Sequence, residues 1–261
     1  MSDGIGYAAS DGVATITLDA PATMNSLTVR MKLALLDALA QARDDDAVRA
    51  VVLTGAGRAF CTGQDLKEHA DGLAAGDRTL TTVVDHYNPI ITAITTLPKP
   101  VVAAVNGMAA GAGAALAFAC DLRIASDAAA FLMAFARVGL GPDSGASWTL
   151  QRLIGRGRAV AMLMLAEPVS AHDALAMGLV SAVVPAAELE ATVGEIAGRL
   201  ANGPTVAYAA IKETIDFSAS HSLPESLAHE AEAQARCGAT ADHLDAVEAF
   251  LAKRPATFNG H

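Results

Sequence analysis

Two glycine-bearing loops hold the residues whose types and spacing offer chemistry. Phe60-Cys61-Thr62-Gly63-Gln64-Asp65-Leu66 follows an apolar strand candidate, and Asn106-Gly107-Met108-Ala109-Ala110-Gly111-Ala112-Gly113 lies between a strand and a helix candidate. Glycine lets backbone approach a ligand closely. The first turn of a helix offers free N–H groups at the positive end of its dipole. One N–H from each loop, converging on a developing oxyanion, would stabilise it. The plainer alternative is that these glycines only permit tight packing. Gly111-x-Gly113 also matches half a dinucleotide fingerprint, but Leu116 stands where a third glycine belongs, so that reading is weak. Cys61 adjoins the first loop; no paired His is evident, which favours a small buried thiol over a nucleophile. Asp44-Asp45-Asp46 ends a helix candidate and reads as a solvated turn rather than a metal site.

The elements that must position these loops alternate. Residues 13–18 and 50–53 and the run Pro100–Gly107 read as strands, the first preceded by a turn at Asp11-Gly12, and 122–125 as another. Thr28 is the expected N-cap of a helix to about residue 43, with Met31, Leu35, Leu39 and Ala42 on one face. Residues 83–97 read as a helix ended by Pro98 and Pro100, and Gly111–Cys120 as a buried helix. This order predicts an α/β fold. Beyond Pro142 the chain turns helical, with candidates at 144–154, 157–167, 170–177, 186–201, 204–217 and 224–252. No fixed-period repeat is visible.

Composition narrows the function class. Lys plus Arg total 18 against 28 Asp plus Glu, a formal charge of −10, which argues against nucleic-acid or anionic-lipid partners. The chain is 52% hydrophobic and 18% charged over 261 residues, enough for one large domain and too apolar for disorder. Pro100–Cys120 carries no charge and has the length of a membrane span, but its Ala and Gly content fits a buried strand, turn and helix better. Three scattered cysteines give no zinc spacing and suit a reducing cytoplasm. The opening MSDGIGYAAS has no basic-then-apolar pattern, so no signal peptide is expected.

The segments APATMNSL, AFCTGQDL, KPVVAAVNGMAAGAGAALAFACDLRIAS, FARVGLGPDSGASWTLQRLIG, VSAHDALAMGLVSAVVP and FLAKRPATF, in this order, resemble the enoyl-CoA hydratase/isomerase (crotonase) superfamily over nearly the whole chain. The resemblance implies a spiral core of repeated ββα units over residues 1–200 and a helical C-terminal trimerisation region over 201–261, giving a homotrimer or a dimer of trimers. It implies an acyl-CoA thioester substrate and no metal or further cofactor. The implied oxyanion donors are the backbone N–H groups of Gln64 and Ala112. Met24, Ser26, Thr62, Asp65, Leu66, Tyr87, Gly111, Ala115, Phe135 and Pro142 are implied to line the substrate. Met24 stands where family members commonly carry a basic contact to CoA. Lys253 and Phe258 resemble a pair touching CoA from an adjacent subunit, against the alternative of a frayed tail.

Matched residue by residue, the two glutamates of the hydratases fall on Ala115 and Phe135, and neither side chain transfers a proton. A carboxylate appears instead at Asp143, where some isomerases of the superfamily carry their acid/base; the ring-epoxide acyl-CoA isomerases of phenylacetate degradation look most similar. Phe131, Met133, Phe135 and Leu140 are the expected apolar neighbours and would raise the pKa of Asp143. Asp143 equally reads as an N-cap held as the anion, unless Ser144 supplies that cap. His86, Tyr87 and Asn88 are placed over the acyl site by the same resemblance, each with a purely structural alternative; Asp65 is expected to brace its loop and Lys67 to face solvent or CoA. One carboxylate suits isomerisation, in which a proton leaves one carbon and returns to another. Enoyl-CoA hydration and non-catalytic acyl-CoA binding are the rival readings.

Overall fold

The computed structural model describes residues 3–76 and 79–261. Its elements run β1 (Ile5–Ser10), β2 (Val13–Leu18), α1 (Val29–Asp44), β3 (Ala50–Gly55), β4 (Ala59–Cys61), α2 (Leu66–Ala74), α3 (Asn88–Thr96), β5 (Val101–Val105), β6 (Met108–Ala110), α4 (Ala112–Ala119), β7 (Leu122–Ser126), β8 (Ala130–Leu132), α5 (Ala146–Leu165), β9 (Val169–Ser170), α6 (Ala171–Met177), β10 (Ala182–Val184), α7 (Leu189–Ala201), α8 (Thr205–Ser218), α9 (Leu223–Gly238) and α10 (Ala241–Ala252). A π-helical turn, Val83–Tyr87, leads into α3.

Strand β2 alternates, burying Ala14, Ile16 and Leu18, and pairs antiparallel with β1 through the Asp11-Gly12 turn. Both turn residues have positive φ, 51° and 79°, the geometry that matches the twist of a tight hairpin. Strands β3, β5, β7 and β10 add in parallel, giving the order β1-β2-β3-β5-β7-β10. A second sheet has the order β4-β6-β8-β9, parallel up to β8. Each of β3-β4-α2, β5-β6-α4 and β7-β8-α5 therefore sends one strand to each sheet before its helix. This is an α/β spiral of ββα turns.

Sequestration follows the apolar runs. All five residues of β5 and all eight of α4 are buried, so the uncharged Pro100–Cys120 stretch is core. No helix among the described residues is long and apolar enough to cross a membrane. Helix α1 starts at Thr28, whose side chain accepts from the Met31 N–H, and buries Met31, Leu35, Leu39 and Ala42. Its C-terminal carbonyls of Ala42 and Arg43, with that of Asp45, accept from the Lys99 ammonium, so a lysine caps the end bearing the acidic triplet. Helix α7 closes the outer face of the first sheet with Leu189, Val193 and Ala197.

The chain departs from its sequence reading in several places. β1, β4, β6, β8, β9 and β10 were not anticipated, because strands of two to three residues show no period and β1 lacks a buried alternating face. The first glycine loop begins within β4 and runs into α2. The candidates 144–154 and 157–167 form one element bent at Gly155, whose φ of 75° is not helical. The candidate 224–252 is two helices, the second capped by Thr240, which accepts from the His243 N–H. The C-terminal tail is not frayed: the Asp242 carboxylate accepts from the N–H groups of Asn259 and Gly260 and Arg49 donates to the Phe258 carbonyl at 2.8 Å.

Candidate active site

The early loop is built on Asn25. Its buried side-chain amide donates to the carbonyls of Ala56, Ala59 and Phe60, and its carbonyl oxygen accepts from the Ala20 N–H. That anchoring lays residues 24–27 beside the first glycine loop. The Thr62 N–H donates to the Met24 carbonyl, the Leu27 N–H to the Gly63 carbonyl, and the Asp65 N–H to the Leu27 carbonyl. Ser26 Oγ donates to Asp65 Oδ2 at 2.8 Å, and Asp65 also accepts from the Glu68 N–H as N-cap of α2. These hydrogen bonds, the Glu68 N–H first, hold the Asp65 carboxyl below the usual range. Met24, Ser26, Thr62 and Asp65 thus share one seam, and Asp65 braces its own loop.

The two glycine loops meet at Gly63. A Cβ on Gly63 would stand 2.8 Å from the Ala110 carbonyl oxygen and 3.2 Å from the Ala112 nitrogen. With φ of +86° as well, only glycine fits. The following residue, Gln64, and the first residue of α4, Ala112, are therefore presented side by side. Among the described residues, neither of their backbone N–H groups has an acceptor. Gly111, with φ of 52° and ψ of −124°, makes the turn into α4, and Ala115 packs one turn further in, fully buried, its N–H donating to the Gly111 carbonyl.

The Gln64 side chain ties this clamp to α1 and to the π-helical turn before α3. Gln64 Oε1 accepts from Lys32 Nζ at 3.0 Å and from the Tyr87 hydroxyl at 2.8 Å. Lys32 also donates to Thr82 Oγ1 at 2.6 Å and sits 4.9 Å from the centre of the Tyr87 ring. The Lys32 and Tyr87 side chains are both buried. Burial lowers the pKa of the ammonium and raises that of the phenol. The carboxylate of Asp143 acts electrostatically on both, which brings it into the same neighbourhood.

Asp143 is half-buried, and burial pushes its carboxyl above the ordinary value; a hydrogen bond from Ser144 Oγ at 2.7 Å and the Lys32 charge pull against that rise. The helix-cap reading does not hold. Helix α5 starts at Ala146 with Gly145 as N-cap and no side-chain cap bond from Asp143 or Ser144. Gly145 packs against Ile91 of α3, which joins this loop to the helix that follows Tyr87. Phe131, Met133 and Phe135 are buried, whereas Leu140 is exposed and does not shield the carboxylate as expected. Leu66, Pro142 and Asn88 are also exposed. His86 meets Thr82 Oγ1 through Nδ1 at 3.1 Å. The Cys61 thiol is fully buried and pushed up to about 12, the condition of an inert core cysteine. Sequence reasoning missed Lys32 and Thr82. The available signal was a lysine three and seven residues before Leu35 and Leu39, on the buried side of α1.

Comparison with known proteins agrees with this architecture. The family model Enoyl-CoA hydratase/isomerase matches residues 8–261. A Rhodobacter capsulatus protein named probable enoyl-CoA hydratase is 47% identical over 98% of both chains. The 1,2-epoxyphenylacetyl-CoA isomerase of Escherichia coli K12 is 41% identical over 95% of both. A Mycobacterium abscessus crystal structure assigned to the enoyl-CoA hydratases/isomerases superposes with a TM-score of 0.95 at 45% identity, covering 98% of this chain and all of that one. With two mostly parallel sheets wound in ββα turns and this likeness along its whole length, the chain belongs to the enoyl-CoA hydratase/isomerase family and is an enzyme of that acyl-CoA-processing type.

Proposed function

We propose that the chain is an acyl-CoA isomerase in which Asp143 is the sole proton carrier and the N–H groups of Gln64 and Ala112 hold the thioester oxygen. The observation that carries this reading is Asp143 itself: a half-buried carboxyl with a raised pKa, free of any helix-capping duty, near the side chains that flank the Gln64 clamp. A thioester acidifies its α-carbon, and in an enoyl chain the γ-carbon. Asp143 takes that proton, the negative charge moves to the thioester oxygen between the two N–H groups, and Asp143 returns the proton to a different carbon. Losing one such N–H donor costs about 3–4 kcal/mol of barrier. Neither step calls on a metal or a nicotinamide. Met24, Ser26, Thr62, Asp65, Leu66, Tyr87, Gly111, Ala115, Phe135 and Pro142 are the proposed substrate lining, and residues 201–261 the proposed subunit contact. The likeness to the epoxyphenylacetyl-CoA isomerase supports a cyclic or enoyl acyl group.

Hydration is the second reading, favoured by the name of the 47%-identical relative. It requires water activated at Cβ and a proton delivered at Cα, which two carboxylates do most readily, yet residues 115 and 135 are Ala and Phe. A panel of cis-3-enoyl, trans-2-enoyl and ring-epoxide acyl-CoA esters separates the readings. Isomerisation of a 3-enoyl or ring-epoxide ester, falling about 10²–10⁴-fold in Asp143→Asn, is the expected result. Efficient hydration of crotonyl-CoA, or an Asp143→Asn enzyme with undiminished turnover, overturns the proposal. A chain that binds the esters and turns over none is a binding subunit.

A further inference from the structure

Lys32 is a buried cation whose direct hydrogen-bond partners are neutral. Its ammonium donates to the Gln64 amide oxygen at 3.0 Å and to the Thr82 hydroxyl at 2.6 Å, and it lies over the Tyr87 ring. Its relative exposure is 0%, and among the described residues no carboxylate reaches ion-pair distance. Burying an unpaired charge is costly. Two neutral acceptors and a ring face take the place of a paired carboxylate. A charge kept under those terms calls for an anion that comes and goes.

We propose that Lys32 is a positioning residue of the isomerisation, holding Gln64 through its side-chain amide oxygen and supplying the fixed positive charge for the anion that passes between Asp143 and the thioester oxygen. This rests on the function proposed above. During that reaction the site always contains one negative charge. It begins on the Asp143 carboxylate, resides on the enolate oxygen while Asp143 carries the proton, and returns. A cation bonded to the side chain of Gln64, and acting electrostatically on Asp143, serves both ends of that path. Because it also bonds Gln64 Oε1 alongside the Tyr87 hydroxyl, it fixes the residue whose N–H faces the oxygen. The other titratable groups facing this cluster are Asp65 and Glu68 at the start of α2, His86 through Thr82, Tyr87 before α3, and the Cys61 thiol of β4. Asp65 is committed to Ser26 and the Glu68 N–H, and Glu68 accepts from the Val29 N–H at the start of α1. Neither is placed to replace Lys32 as counter-charge, since both are acids.

The test is the pH profile of kcat/KM for 3-enoyl-CoA isomerisation in the full-length enzyme carrying Lys32→Met, Lys32→Gln or Lys32→Arg. Asp143 acts first as a base, so activity is lost as pH falls through its pKa. Removing the neighbouring positive charge raises that pKa. The acid limb in Lys32→Met is expected to move up by about one pH unit. Its kcat is expected to fall about tenfold or more, with KM for the thioester little changed. Lys32→Arg is expected to keep the parental limb. If Lys32→Met does not fold, judged by its thermal melt, Lys32→Gln gives the same reading with a polar side chain. An acid limb and kcat unchanged in the neutral variants overturn the inference. So does an arginine variant as impaired as the neutral ones, which would make the role one of packing. An Asp143→Asn enzyme that remains active overturns the underlying reading and this inference together, whereas an inactive one with unshifted Lys32 variants removes this inference alone.

Discussion

Asp143 is where sequence and structure carry most of the functional argument, and its environment has a consequence for stability as well as turnover. Its carboxyl is raised chiefly by burial, from a reference of 3.8. The folded protein therefore holds that proton more tightly than the unfolded chain does. The contribution to stability is most favourable at low pH and is lost as pH rises from the reference value through the raised one. At pH 7 the buried anion is a net cost. Asp143→Asn, which removes it, is expected to melt higher than the parent at pH 7. The gap is expected to close as the pH approaches 4. Thermal melts of the two proteins across that range check it; a variant no more stable at pH 7 than the parent means Asp143 bears no burial cost. The residue types were legible in the sequence, because Ala115, Phe135 and Asp143 each fall within a recognisable motif. What remained hidden was which neighbours face the carboxylate. Leu140 lies close in sequence and points to solvent, while Lys32, more than a hundred residues away, is within electrostatic reach.

Among the elements, the decisive contact is the crossing of the two glycine loops, and a single methyl group is enough to test it. Gly63→Ala places a Cβ 2.8 Å from the Ala110 carbonyl oxygen, which is backbone and cannot swing away, at a φ of +86° that L-residues rarely adopt. The loop at Gln64 must then move off the start of α4. Gly63→Ala is expected to lower kcat about 10²–10³-fold, as when one oxyanion donor is withdrawn, while retaining a cooperative melt. Steady-state kinetics and circular dichroism on the same preparation check this; a folded variant with parental kcat would mean that the two N–H groups need not be held together. Both loops, and the strand-to-helix setting of the second, were readable from glycine spacing and apolar runs, whereas α2 after the first loop was not. The second sheet was not, because β4, β6 and β8 have three residues each and β9 only two. Such strands carry no period, and they exist because the longer strands β3, β5 and β7 deliver the chain to the same side each time. The ββα repeat was invisible as a period for a related reason. The connections between its turns differ widely in length, with β3 starting at residue 50, β5 at 101 and β7 at 122.

For the whole molecule, the distribution of apolar surface separates the spiral from the helices that follow it. The core of the spiral is closed on both faces of the first sheet, by α1 and α4 on one side and α7 on the other. Helices α8–α10 bury few residues, chiefly Ala210, Ala233 and Ala249 among the apolar ones. They expose Ile215 at 63%, Leu223 at 70%, Phe250 at 82% and Leu251 at 76%, with Ile211, Leu227, Leu244 and Val247 also exposed. Single exposed apolar residues are ordinary, but this many on three successive helices is the pattern of a surface covered by another chain. The tail beyond α10 is itself tied down through Asp242, Asp245 and Arg49, so the helices are held in place rather than left to collapse onto their own apolar side chains. The expected occupant is a second and third copy of this chain. Light scattering after size exclusion is expected to give three or six times the 26.5 kDa chain mass. Phe250→Asp with Leu251→Asp places two charges in that apolar surface, and is expected to shift the mass toward one chain, because an unpaired charge is poorly tolerated at a closed interface. A parent protein that runs as a monomer, or a double variant that keeps the parental mass, assigns the exposed apolar surface of α10 to something other than self-association.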